Sequence, residues 1–175
     1  MLAYPVSDKP IDYTKPTFIQ PKLDGVRCLI QYDAGKVTAY SRTGKVWKNI
    51  EHITLNLYRF FDKYPNVILD GELYNHDLRD DFEKIISLVR KQKPTDEDRS
   101  EARRLVQFHC YDIVDETLPF SQRNDFILKA IYNNYTHVKV LPCITVHSHD
   151  NAIAQHKINL KAGFEGSILR SDNKY

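Results

Sequence analysis

Lys22-Leu23-Asp24-Gly25-Val26-Arg27 places a lysine, a carboxylate, a glycine and an arginine within six residues. That set suits phosphoryl chemistry. A lysine amine kept unprotonated attacks phosphorus, an Asp-Gly pair turns the backbone, and an arginine offers a planar donor fork to phosphate oxygens. The same residues also fit a hairpin turn with solvated charges, because Asp-Gly is a common short turn signal. Four later segments favour the chemical reading: Tyr40-Ser41-Arg42-Thr43-Gly44, Leu69-Asp70-Gly71-Glu72-Leu73, Phe108-His109-Cys110-Tyr111-Asp112 and Glu165-Gly166-Ser167-Ile168-Leu169-Arg170. Each puts polar residues where a strand should be apolar or ending. Glu72 interrupts an apolar run, and alternation sets it on the same face as Asp70. Burying such carboxylates costs several kcal/mol unless cations or hydrogen bonds meet them, so they imply a metal or a basic partner, with a structural salt bridge as the competing reading.

The elements that must position these residues follow from periodicity. The opening to about Lys15 reads as an extended lead-in. Thr17 to Lys22 reads as a strand that leaves Lys22 at its end, and Val26 to Tyr32 and Lys36 to Ser41 as a hairpin across Asp33-Ala34-Gly35. Ile50 to Tyr64 carries apolar residues at helical spacing and stops at Pro65; Val67 to Tyr74 is strand-like; Asp81 to Arg90 is helical again. The charged stretch Lys91 to Arg104 reads as a solvated loop or short helix. Leu105 to Val114 is expected as a strand, Ser121 to Tyr132 as a helix, Val138 to Val146 as a strand, Asn151 to Lys161 as a helix and Phe164 to Arg170 as a final strand. Early hairpins with later alternation predict an α+β domain with mainly antiparallel sheets flanked by helices.

Composition bounds the partners. The 175 residues suit one domain, and 25 basic against 23 acidic side chains leave a net charge of +2, so any nucleic-acid contact must come from local clustering. Cys28, Cys110 and Cys143 lack metal-type spacing and read as reduced thiols of an intracellular protein. His147, His149 and His156 have no cysteine or second acidic ligand at suitable spacing and read as surface or capping residues rather than a zinc site. No secretory signal or stretch of eighteen apolar residues is present in the sequence.

Lys-x-Asp-Gly-x-Arg, Ser-Arg-x-Gly, Asp-Gly-Glu-Leu, an aromatic-Asp pair and Glu-Gly-x-x-x-Arg, in this order from about Phe18 to Arg170, resemble the covalent nucleotidyltransferase superfamily. Within it the chain is most similar to the small ATP-dependent DNA ligases of bacteriophages and other viruses. The resemblance implies the ATP-grasp-like fold of a DNA ligase adenylation domain, acting in DNA replication, repair and recombination. Lys22 would be the nucleophile that attacks the α-phosphate of ATP and keeps AMP on its amine. Gln20, Arg27, Arg42, Glu72 and Tyr111 would bind ATP with it: Gln20 reading the adenine amino group, Tyr111 stacking on the base, Glu72 meeting the ribose hydroxyls or a metal. Glu72 and Glu165 would hold Mg2+ or Mn2+, and Arg27 and Arg42 would also meet the phosphate of a broken strand. Tyr111 also fits an ordinary core aromatic.

The resemblance further implies nicked double-stranded DNA as partner, a monomer, no membrane, and a cytoplasmic location, that of the host if the protein is viral. Family members continue past Glu-Gly-x-x-x-Arg to a Lys-x-Lys motif and an OB-fold domain. The sequence 1–175 is therefore expected as a single adenylation domain, incomplete at its C-terminus, without the OB-fold and with weakened first-step chemistry. An RNA ligase or mRNA-capping guanylyltransferase, and an inactive fragment that binds nucleotide or DNA, are the alternative readings.

Overall fold

The computed structural model describes residues 5–8, 10–132 and 134–175; residues 1–4 of the expected lead-in, and residue 9, lie outside them. Strand β1 (Thr17–Lys22) is followed by the hairpin β2 (Val26–Asp33) and β3 (Lys36–Ser41). Ala34 and Gly35, at φ 48° and 83°, close that hairpin with the paired left-handed residues that match strand twist. Helices α1 (Glu51–Asn56) and α2 (Tyr58–Lys63) lead to β4 (Ile68–Tyr74), α3 (Phe82–Val89), α4 (Asp96–Leu105) and β5 (Gln107–Ile113). Then come α5 (Phe120–Ala130), β6 (Val138–Val140), β7 (Ile144–Val146), α6 (His149–Lys161) and β8 (Gly166–Ser171).

Two sheets carry the fold, in strand orders β3-β2-β4-β5-β6 and β7-β1-β8. Every pairing is antiparallel except β5 with β6. The main core lies on the larger sheet, where Ile30, Leu69, Leu73 and Phe108 meet Ile53, Phe60, Phe61, Ile85 and Leu88 of the helices. A smaller cluster of Ile19, Val146 and Ala152 holds α6 on the second sheet.

Two expectations need correction, and a third was open between two forms. The helix expected from Ile50 to Tyr64 is two helices, because the chain turns at Leu57, whose amide is shared between the Ile53 and Thr54 carbonyls. That turn lets Ile53, Phe60 and Phe61 all reach the core. The charged stretch 91–104, expected as a loop or short helix, takes the helical form: α4 begins at Asp96 within it, with Ala102 as its buried residue. It is held by a capping box between Thr95 and Asp98 and by ion pairs Lys84–Glu101, Lys91–Asp98 and Arg99–Glu51 at 2.7–2.8 Å, none of which leaves an apolar stripe to read. The strand expected from Val138 to Val146 breaks at Leu141-Pro142-Cys143 and its halves join different sheets. Pro142 has no N–H to donate, so the ladder ends there and the chain crosses over.

Candidate active site

A cleft of about 1870 Å³ opens between the two sheets, and the motif residues line it. Register explains how they meet. β1 pairs with β8 so that Lys22 faces Gly166, which brings Glu165 beside Lys22 across 143 positions of sequence. The Lys22 ammonium and the Glu165 carboxylate form an ion pair, both about half exposed to the cleft. On the larger sheet β2 pairs with β4 so that Arg27 faces Glu72 directly and Asp70 diagonally. Arg27 donates from Nε to Asp70 Oδ1 at 3.0 Å and from Nη2 to Oδ2 at 2.8 Å. Burial works against the guanidinium's charge, but the paired Asp70 overcomes it and holds the proton more tightly than usual.

Glu72 has the opposite balance. Burial, then the neighbouring Asp70, push its carboxyl up to about 8, with Arg27 and Lys22 pulling it only partly back. Among the described residues it forms no ion pair, although Arg27 faces it across the ladder. Gly25 lies in the bend expected between β1 and β2 and is not among the glycines at positive φ. Space is what requires it: a Cβ there would lie 2.5 Å from Glu72 Cγ and 2.7 Å from the Leu73 carbonyl oxygen. Gly25 thus lets the backbone approach β4 closely.

Arg42 stands on the tight loop after β3, where Gly44 at φ 79° allows the Ser41 and Lys45 backbones to hydrogen-bond at 2.7 Å. It is exposed, lines the cleft, and has no ion pair among the described residues. Tyr111 also lines the cleft, but the Arg170 guanidinium lies 5.3 Å from its ring centroid. Gln20 lines the cleft beside it. It is buried, its Oε1 accepts from Arg170 Nε at 2.8 Å, and its Nε2 donates to the Tyr111 carbonyl at 3.4 Å. The amide oxygen expected to meet a base is therefore already engaged, and only its second lone pair remains.

Behind Gln20 runs a buried network that the sequence did not show. Asp112, with 0% of its side chain exposed, accepts from Arg123 Nε at 2.7 Å and Nη2 at 3.1 Å, from Arg170 Nη1 at 3.0 Å, and from its neighbour Ile113 N at 2.9 Å. The signal for Arg123 was present but faint: it lies between Phe120 and Ile127 on the buried face of α5. Tyr175, at the end of the described chain, reaches Arg27 and Asp70, and no motif pointed to it.

The donors of the cleft fit a hard divalent cation. Among the described residues no three His, Cys, Asp or Glu side chains form a ready cage. Magnesium does not need one, because it is commonly held by one or two carboxylates together with substrate phosphates and water. Glu165 and Glu72, both lining the cleft, would be the carboxylates to hold it.

The sequence matches the family described as ATP dependent DNA ligase domain over residues 1–175. The chain belongs to that family. A DNA ligase of African swine fever virus is 29% identical over 161 residues, covering 89% of this ligase domain and 36% of the viral protein. The domain thus spans little more than a third of the curated relatives it matches. Its fold is similar to that of the ATP-dependent DNA ligase from bacteriophage T7 in complex with ATP, at TM-score 0.70 and 18% identity over 99% of this chain and 64% of that one. It is also similar to an archaeal ATP-dependent RNA ligase, at TM-score 0.61 and 17% identity over 91% and 40%. The expected α+β architecture agrees with both.

Proposed function

We propose that this ligase domain carries out the adenylation step of nick sealing, forming a lysyl-AMP on Lys22 and passing the AMP to the 5′-phosphate of nicked double-stranded DNA. The juxtaposition of Lys22 and Glu165, distant in sequence and ion-paired at the mouth of the cleft, is the observation that carries this reading.

In the first step Lys22 Nζ attacks the α-phosphorus of ATP, the N–P bond forms, the bond to pyrophosphate breaks, and the amine sheds its proton. A free lysine titrates at about 10.4, so the amine must pass a proton to an acceptor before it attacks. Glu165, which already accepts a hydrogen bond from Lys22 Nζ, would take that proton. Arg27, bonded to Asp70, and the exposed Arg42 offer guanidinium groups to phosphate oxygens, which stabilises the charge that builds up as the bond breaks. The same two arginines would hold the phosphate of the nick; such backbone contacts position without reading sequence. Tyr111 and Gln20 would flank the base. Magnesium or manganese held by Glu165 and Glu72 would neutralise phosphate charge.

Incubation of the chain with α-labelled ATP and magnesium tests this. The expected result is an alkali-stable, acid-labile label on the wild-type chain that is absent from Lys22→Ala. An unlabelled wild-type chain refutes the adenylation reading. The fold likeness to an RNA ligase supports a second reading, sealing of RNA, and transfer of the labelled AMP to nicked RNA but not nicked DNA would favour it.

A further inference from the structure

Residues 172–175 leave β8, on the smaller sheet, and cross the cleft to the larger one. The crossing is tied at three points. The Ser121 backbone N–H and Oγ donate to the two oxygens of Asp172 at 2.7 and 3.0 Å. Arg123 Nη1 donates to the Asn173 carbonyl at 3.0 Å. Tyr175 Oη accepts from Arg27 Nη2 and donates to Asp70 Oδ2, each at 2.9 Å. Its ring centroid lies 5.7 Å from the Arg123 guanidinium. Burial, then Asp70, push the phenol up to about 12, so the hydroxyl keeps the proton that it donates to Asp70.

The consequence for Arg27 is geometric. Asp70 grips one edge of the guanidinium through two hydrogen bonds. Tyr175 closes a triangle in which each group bonds to the other two, and its third side comes from the opposite sheet. The smaller sheet carries Lys22, and Glu165 directly precedes its strand β8; the larger carries Arg27 and Glu72. The Tyr175 contact therefore joins the two halves of the site as well as fixing the fork. We propose that Tyr175 is a positioning residue that holds the Arg27 guanidinium, and the spacing between the two sheets, in the geometry that takes the nucleotide phosphates. This rests on the adenylation reading for what the cleft binds, but not for what Tyr175 does to Arg27.

The Tyr175→Phe variant of the whole chain tests it, since the ring and its packing stay while both hydrogen bonds go. Three readouts separate positioning from packing. Solvent exchange of the Arg27 Nε–H, followed by NMR, should accelerate roughly tenfold, the scale of one charge-assisted hydrogen bond. The ATP concentration that half-saturates labelling should rise by a similar factor, about tenfold, and the labelling rate at saturating ATP should fall, while the melting temperature holds. Unchanged Arg27 exchange together with unchanged ATP dependence would overturn the proposal. So would a fall in melting temperature with unchanged half-saturation, which marks a packing role. If the wild-type chain takes no label, the adenylation reading fails, and Arg27 exchange still decides the role of Tyr175.

Discussion

Truncating the buried Asp112–Arg123–Arg170 network should produce a graded loss of stability whose order is set by how many charges each variant strands. Asp112 and Arg123 expose 0% and 1% of their side chains, and Arg170 exposes 14% at the edge of the cleft. Breaking a buried ion pair by removing one partner costs about 3–5 kcal/mol, because the remaining charge is left uncompensated. Arg123→Ala removes both hydrogen bonds from α5 to the carboxylate, but Arg170 and the Ile113 N–H still meet it, so the loss belongs near 3 kcal/mol, the lower end of that range. Asp112→Ala leaves two guanidinium groups without a counter-charge, and its loss belongs near the upper end, about 5 kcal/mol. Arg170→Ala should cost least, since its group is partly solvated. For a chain of this size each kcal/mol moves the melting temperature by about 2–4 °C, which gives falls of roughly 6–12 °C for Arg123→Ala and 10–20 °C for Asp112→Ala. Arg123→Lys should not rescue, because an ammonium cannot reproduce the fork that serves Asp112, Leu118 and Asn173 together. Urea and thermal unfolding of the three variants and of wild type check this. Losses below about 1 kcal/mol throughout, or Arg170→Ala as the most damaging change, would refute the reasoning.

Three further outcomes follow from single sites. Lys22→Arg keeps a cation beside Glu165, and the exposed pair contributes about 1 kcal/mol or less, so thermal stability should hold while ATP labelling disappears, because a guanidinium does not give up its proton to become a nucleophile. Gly71→Ala should be among the most damaging small substitutions, read as loss of soluble folded protein or of several degrees in melting temperature, since the added Cβ would meet the His109 carbonyl at 2.5 Å and the Phe108 ring at 2.6 Å. Burial holds His52 and His109 down to about 4 from an ordinary 6.5. Both rings are then neutral in the fold but charged in the unfolded chain between those values, so their contribution is complete above pH 6.5 and is lost as the pH falls through 4. Urea midpoints measured across that window should fall less steeply for His109→Gln than for wild type; parallel curves would remove His109 from the account.

The elements that sequence revealed best are those whose side chains decide them locally. The β2–β3 hairpin was legible because its turn residues and alternation agree, and β1 because its apolar run ends at a lysine. Helix α4 was left open between loop and short helix, because its stability comes from a cap and from ion pairs to α1, α3 and the loop that precedes it, and those partners are invisible until the chain has folded. The β6–β7 break was half visible in Pro142, but which sheet each half would join depends on strands formed elsewhere.

The ordered motifs by themselves named the chemistry and its residues: a lysine beside a turn, carboxylates in strands and arginines after them have few other uses together. Tertiary structure alone decided how those residues are used. Antiparallel register turned 143 positions of separation into an ion pair between Lys22 and Glu165. It set Asp70 and Glu72 on one face, so that one carboxylate fixes Arg27 while burial pushes the other up to about 8. It also tied Gln20 to Arg170 at the wall of the cleft and brought Arg123 and Tyr175 to the site, because hydrogen-bond partners are assigned by distance in space, which a one-dimensional pattern of polar and apolar residues does not record.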